Sequence, residues 1–417
     1  MGPRSNKTNR WQLPPIPPSV EYSNSLVILL IILYMSELFS ISSNLLNIST
    51  LVVSFIALLL GAAIFTNGIE WVGHKTNISE SATGSILAAV GTALPETMIP
   101  VIAIYTVWRT GGASSADEIG VGAILGAPFM LATIAMFLIG CSLIYFKPRR
   151  SSGLKLKIYS SSTKRDLSFF IIAYSLAIIA ALVPWRTLSL LIAFSLVVLY
   201  LFYLQRTLSS GIAIEAESLE NLQVGVVLDK LAQIVPILAA KKPRASDPTT
   251  PLVIFQALAA LGIIIAGAHL FIHAVEWLSH DVLNLPLAVI ALLLAPLATE
   301  LPEKFNSIIW ISRDKDVLAL GNITGALVFQ STLPVTLGIV FTSWDLSFTW
   351  GTVGFLNAIS AVFAILGASI LYIRARYSTD ETLSNIPFLI GGVLYLLFII
   401  LLVYHVGNFD LAVTSHG

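Results

Sequence analysis

A single cysteine, Cys141, stands among the 417 residues. That excludes an intrachain disulfide and leaves no basis for a cysteine-ligated metal centre. Charge is scarce too: 11% of the residues are Asp, Glu, Lys or Arg, against about 25% in a soluble domain. The formal net charge is +0, which offers no footing for a nucleic-acid partner. No EF-hand loop is present. Nor is there a paired-Asp, Ser-Lys or His-Glu-x-x-His arrangement to support an intramembrane hydrolase, and the chain is read as a non-enzyme.

What is plentiful is apolar. Hydrophobic residues make up 56% of the chain and the mean hydropathy is +0.87, the composition of a polytopic membrane protein whose first partner is the lipid bilayer. Apolar runs cover 51–72, 83–108, 119–146, 167–183 and 188–204, then 252–278, 285–311, 317–341, 352–373 and 386–404. These are near the length that crosses about 30 Å of hydrocarbon. A shorter run, 26–39, carries Glu37 and has no small-residue cleavage site after it, so it reads as an extra, uncleaved helix. The expected layout is an N-terminal tail and extra helix (1–50), a first repeat (51–205), a linker (206–251), a second repeat (252–405) and a C-terminal tail (406–417).

The two sets of runs are versions of each other. Glu70-Trp71-Val72-Gly73-His74 matches Glu276-Trp277-Leu278-Ser279-His280, and Gly91-Thr92-Ala93-Leu94-Pro95-Glu96 matches Ala298-Thr299-Glu300-Leu301-Pro302-Glu303. Further on, Gly122-Ala123-Ile124-Leu125-Gly126-Ala127 matches Gly321-Asn322-Ile323-Thr324-Gly325-Ala326. Three blocks in one order make an internal repeat. Five helices per copy is an odd number, so the second copy runs inverted. The fold class is therefore all-α, two inverted five-helix repeats forming a ten-helix core with one extra N-terminal helix, broken at Pro95 and Pro302, the plan of a secondary transporter. Alternate loops divide the positive charge sharply. One side takes Lys75, the cluster from Lys147 to Arg165, Arg206, Lys230, Lys241, Lys242, Arg244, Arg313, Lys315, Arg374 and Arg376, and the other only Arg109 and Arg186. The positive-inside rule puts the N-terminus and the central linker in the cytoplasm and the C-terminus outside. Within the linker, Leu219 to Leu238 reads either as an amphipathic helix on the membrane surface or as a solvated connector.

A carboxylate at bilayer depth costs about 2.5–3.5 kcal/mol on insertion scales and marks a functional site. Thr92 and Glu96 are four apart and share a helix face, as do Thr299 and Glu303. Proline frees a nearby backbone carbonyl. Hydroxyl, carboxylate and carbonyl together make an all-oxygen set suited to Ca²⁺ or Na⁺. The bland alternative is a kink with its Glu bonded to a neighbouring helix, and the second copy weighs against it. Glu300 lies three before Glu303, where it could share a proton or cation, and four before Lys304, in the favourable ion-pair order; both readings stand. Glu70/His74 and Glu276/His280 read as an entry gate or as interfacial anchors beside Trp71 and Trp277, with the charges solvated. His269, His273, Glu276 and His280 fall at helical spacing, a minor candidate for a zinc face.

Gly91-Thr92-Ala93-Leu94-Pro95-Glu96 and Thr299-Glu300-Leu301-Pro302-Glu303 resemble the repeats of the calcium/cation antiporter superfamily, the sodium/calcium exchangers and their relatives. The resemblance covers roughly 51–146 and 252–341. It implies that Glu96 and Glu303 bind calcium and that Thr and Asn positions line sodium sites, giving Thr92, Glu96, Thr299, Glu300, Glu303, Asn322 and Gln330 as candidate ligands. Departures are clear: Ala93, Ala123, Ala127, Pro128, Leu131, Ala326 and Leu327 stand where the family pattern has polar residues. The function expected is antiport of Ca²⁺ against H⁺ or Na⁺ by alternating access, with no cofactor and no obligate protein partner. The alternatives are a monovalent Na⁺/H⁺ antiporter and a degenerate, non-transporting scaffold or sensor.

Overall fold

The computed structural model describes residues 44–93, 114–209, 219–234, 245–277, 300–344, 346–350 and 352–414, with 97, 101, 293, 296 and 297 between them. Among these residues eight helices are long and apolar enough to cross a membrane. The expected run 26–39 lies outside the described residues, as do large parts of 83–108 and 285–311.

The first repeat opens with α1 (Asn44–Lys75), whose apolar run ends in His74 and Lys75. A broken stretch follows: α2 (Glu80–Ala82), a π turn (Thr83–Ala88) and α3 (Ala89–Thr92). Ser79 caps it by accepting from the Ala82 amide. Next comes α4 (Ser114–Met130), which carries Pro128 inside it and passes into a second π turn, Leu131–Ala135, then α5 (Met136–Phe146). A proline removes one intrahelical donor, and a wider turn next to it is the usual accommodation. The helices α6 (Ser160–Leu182) and α7 (Arg186–Leu208) complete this half. A linker helix, α8 (Gln223–Ile234), leads to α9 (Thr250–Trp277), α10 (Leu301–Ser312), α11 (Asp316–Gln330), α12 (Leu333–Phe341), α13 (Val353–Arg376) and α14 (Ile386–Thr414). A two-residue antiparallel pair, β1 (Leu156–Lys157) with β2 (Thr382–Leu383), ties the turn before α6 to the turn before α14.

Packing between the halves is reciprocal. The two first helices, α1 and α9, lie along each other; α6 packs on α13; α5 on α14 is answered by α7 on α12; α4 on α13 is answered by α6 on α11. Exchanging the halves maps each contact onto another, as twofold-related repeats require. Lipid tails are as apolar as leucine, so close backbone approach and interhelical hydrogen bonds hold such helices together. Gly68 shows the first device: a Cβ there would sit 3.2 Å from the Ala257 amide of α9. Gln256 shows the second, donating to Asn67 Oδ1 at 2.8 Å and to the Ile64 carbonyl at 3.1 Å.

The linker helix occupies the stretch expected as amphipathic and docks by specific bonds. The Val224 amide donates to Gln256 Oε1 at 2.8 Å, and the Gln223 amide to Asn67 Oδ1 at 3.1 Å. Trp71 corrects the interfacial-anchor reading. It is buried against Leu222 and Val253, and its Nε1 donates to the Glu220 carbonyl at 2.8 Å, so the linker covers it.

Candidate functional site

The second motif sits at a helix start. Glu300 holds non-helical backbone angles ahead of α10, and Pro302 falls in the first turn, where its missing N–H is one the helix could not use. This places Glu303 one turn in, fully buried, with no hydrogen bond made to either carboxylate oxygen among the described residues. Thr92, at the end of α3, and Lys304 are its polar neighbours. The Thr92 hydroxyl donates to the Ala88 carbonyl at 2.9 Å and lies 3.5 Å from Asn322 Oδ1 of α11. Asn322 Nδ2 donates to the Glu303 carbonyl at 3.1 Å and to Ser307 Oγ at 3.3 Å. One residue from each repeat motif, Thr92 and Glu303, and the second-block Asn322 thus meet in one buried polar cluster.

Glu300 makes the ion pair expected of it: Lys304 Nζ lies 2.8 Å from Glu300 Oε2, both side chains buried, while Glu300 Oε1 has no partner among the described residues. Gln330 is buried with both amide atoms unpaired, but it lies eight residues beyond Asn322, about 12 Å along the helix axis at 1.5 Å per residue. Among the described residues no hydrogen bond joins it to Thr92 or Glu303. Glu96 and Thr299 lie outside the described residues.

Sequence reasoning missed Asn306 and Ser307. Asn306 is buried, three residues past Glu303, with neither amide atom paired among the described residues, and Ser307 bridges Asn322 to the Ala319 carbonyl at 3.0 Å. The signal was available: both are polar, in an apolar run, at i+3 and i+4 from the motif glutamate. It also missed Asp166, buried on α6, which accepts from Ser85 Oγ at 2.7 Å and Thr324 Oγ1 at 2.8 Å and pairs with Arg165 at 3.0 Å. Asp166 fastens the π turn to α11. Ala93, Ala127, Leu131, Ala326 and Leu327, which stand where the family pattern has polar residues, are all buried.

Away from the centre, Glu70 corrects the solvated reading. It is 2% exposed, accepts from Trp310 Nε1 at 2.7 Å and pairs with Lys315. It bolts α1 to the end of α10. Nearby, Arg150 grips Asp316 with two bonds of 2.7 Å and donates to the Ile311 carbonyl at 2.8 Å. Burial pushes the Glu80 carboxyl above its ordinary value against the pull of Lys315, and Glu70 and Asp316 add to the rise. Of the expected zinc face, His269 is exposed, and the side chains of His273, Glu276 and His280 lie outside the described residues.

Helices of membrane length around a buried carboxylate, hydroxyl and amide mark a multi-span membrane protein with a polar site inside it. Residues 46–208 and 252–407 match the profile of the family described as "Sodium/calcium exchanger protein". The chain belongs to that family of cation antiporters, as the two motifs lead one to expect. It is 24% identical over 348 residues to the uncharacterized membrane protein MJ0091 of Methanocaldococcus jannaschii, covering 82% of this chain and 95% of that protein. Its fold is similar to structures of the sodium-calcium exchanger NCX_Mj. For the form soaked with 10 mM Na⁺ and zero Ca²⁺, the TM-score is 0.61 at 18% identity, covering 85% of this chain and 98% of the other. For the form soaked with 2.5 mM Na⁺ and 0.1 mM Sr²⁺, the TM-score is 0.62, at the same identity and coverage.

Proposed function

We propose that this chain exchanges Ca²⁺ for a monovalent counter-ion by alternating access, with H⁺ favoured over Na⁺. The observation that carries the reading is Glu303, buried at the meeting of the two repeats with both carboxylate oxygens open to a cation. A buried charge is tolerated only when something compensates it. A transported cation supplies that compensation and the carboxylate supplies the grip. By the sequence repeat, Thr92, Glu96, Thr299, Glu303 and Asn322 form the ion's ligand set, with Gln330 farther along the path and Glu300 engaged with Lys304. Proton coupling is favoured by the buried apolar residues Ala93, Ala127, Leu131 and Ala326 at positions where the family pattern has polar ones. A sodium ion needs a shell of oxygens that such side chains do not offer, whereas a proton needs one carboxylate. The linker faces the cytoplasm and the C-terminus the outside, on the distribution of Lys and Arg.

The test is reconstitution into proteoliposomes with ⁴⁵Ca²⁺ uptake measured under separate pH and Na⁺ gradients. A pH gradient alone should drive uptake. Uptake that needs Na⁺ and ignores the pH gradient overturns the choice of counter-ion. Na⁺/H⁺ exchange with no Ca²⁺ movement, the second reading, is favoured by Lys304, whose charge lowers the demand for a divalent ion.

A further inference from the structure

The motif of the second repeat differs from that of the first by two charges. Aligned on the Pro-Glu pair, Glu300 stands where the first repeat has Ala93, and Lys304 where it has Thr97. These two positions touch in both copies. In the first, Thr97 Oγ1 donates to the Ala93 carbonyl at 2.9 Å. In the second, the Lys304 ammonium reaches the Glu300 carboxylate at 2.8 Å. Acid and base thus occupy one structural pair of positions and cancel each other.

Burial makes the cancellation matter. The Lys304 side chain is 2% exposed and that of Glu300 0%, and an ion so desolvated needs a partner of opposite sign. Among the described residues no side chain, Lys304 included, makes a hydrogen bond to either oxygen of Glu303 within bonding geometry. The ammonium is therefore committed to Glu300, and Glu303 is left for an ion from solution. We propose that Lys304 is a built-in cation that neutralises Glu300 throughout the transport cycle. It takes the place of one monovalent counter-ion on the leg that returns without Ca²⁺, so exchange moves one counter-ion fewer per Ca²⁺ than the same site would without it. Lys304 is thus a stoichiometry-determining residue. This inference rests on the exchange reading above.

The test measures the steady-state ⁴⁵Ca²⁺ ratio across proteoliposomes at a series of potentials set by K⁺ and valinomycin. In Lys304→Met, the freed Glu300 shares the Ca²⁺ held at Glu303 on one leg and takes a monovalent ion of its own on the other, and the slope of the ratio against potential changes by tenfold for every ~59 mV relative to the parent. The double variant Glu300→Gln/Lys304→Met returns to the parent slope, and Lys304→Arg keeps it. A Lys304→Met slope equal to the parent's, or a double variant that keeps the altered slope, overturns the proposal. Should Lys304→Met fold without transporting, ⁴⁵Ca²⁺ binding to the purified protein decides. Binding at least tenfold tighter, restored to parent affinity in the double variant, supports the built-in cation, and weaker binding shows a merely structural lysine. Lys304→Gln gives the same comparison if Met does not fold. A parent that moves no Ca²⁺ under any gradient defeats the exchange reading itself, and a parent that exchanges Ca²⁺ while the variant slopes coincide defeats this inference alone.

Discussion

Glu303 and Gly325 show how single residues set the centre of this protein. A buried ionised carboxylate that receives no hydrogen bond among the described residues is costly, and a cation or a proton removes that cost. Glu303→Gln keeps the shape and removes the charge. It should lower Ca²⁺ flux at least 100-fold while membrane insertion and expression stay at parent levels, and Glu96→Gln should do the same. Parent-rate flux in either variant would exclude that residue from the site. Gly325 is set by proximity: a Cβ there would drive into the Ser85 carbonyl of the π turn. Gly325→Ala should destabilise by about 1–3 kcal/mol, the usual cost of overpacking, seen as a lower thermal midpoint in detergent. Gly262, inside α9 and with nothing within 4 Å of an added Cβ, is the control, and Gly262→Ala should not lower the midpoint.

At the scale of elements, polar bolts join helices that sequence keeps far apart. Arg150 follows α5 and Asp316 opens α11, and their pair is buried with two short bonds. Removing one member of a buried pair strands the other, at about 3–5 kcal/mol. Asp316→Asn should therefore lower the detergent midpoint clearly, whereas Asp247→Asn, which loses the half-exposed 3.5 Å pair with Lys75, should leave it nearly unmoved. Glu80 adds a pH dependence. Its carboxyl is raised by burial in the folded chain, so folding favours its protonated form. The stability it contributes is fully present below the ordinary carboxylate value of 4.5 and is lost as pH rises through the raised one. Glu80→Gln should flatten that loss in a series of thermal midpoints from acid to neutral pH.

For the whole molecule, the question is which way the two halves face. The uneven distribution of Lys and Arg predicts that Lys241 lies in the cytoplasm and Ser415 outside. Lys241→Cys and Ser415→Cys, each in a Cys141→Ala background, should be labelled by impermeant thiol reagents from opposite sides. Labelling from one side would remove the inverted arrangement. The reciprocal contacts between the halves, with α1 along α9 and α6 on α13, are what such an arrangement would produce.

Much of this was legible in the residues alone, because composition and periodicity are local properties. Scarce charge and long apolar runs meant a membrane protein; two Thr/Pro/Glu blocks in matched order meant a repeat, a family and a pair of glutamates. Pro302 announced a helix break, and α10 starts beside it. Tertiary structure decided what local rules leave degenerate. The i, i+3 and i, i+4 spacings let Glu300 serve Glu303 or Lys304, and only the buried geometry chose the lysine. Glu70 read as a solvated end of a helix because its partners, Trp310 and Lys315, arrive from the other half. Gln330 matched a motif position yet lies two helical turns from the polar cluster. A hydrogen bond between residues hundreds of positions apart depends on which helix faces pack, and no window of sequence contains both partners.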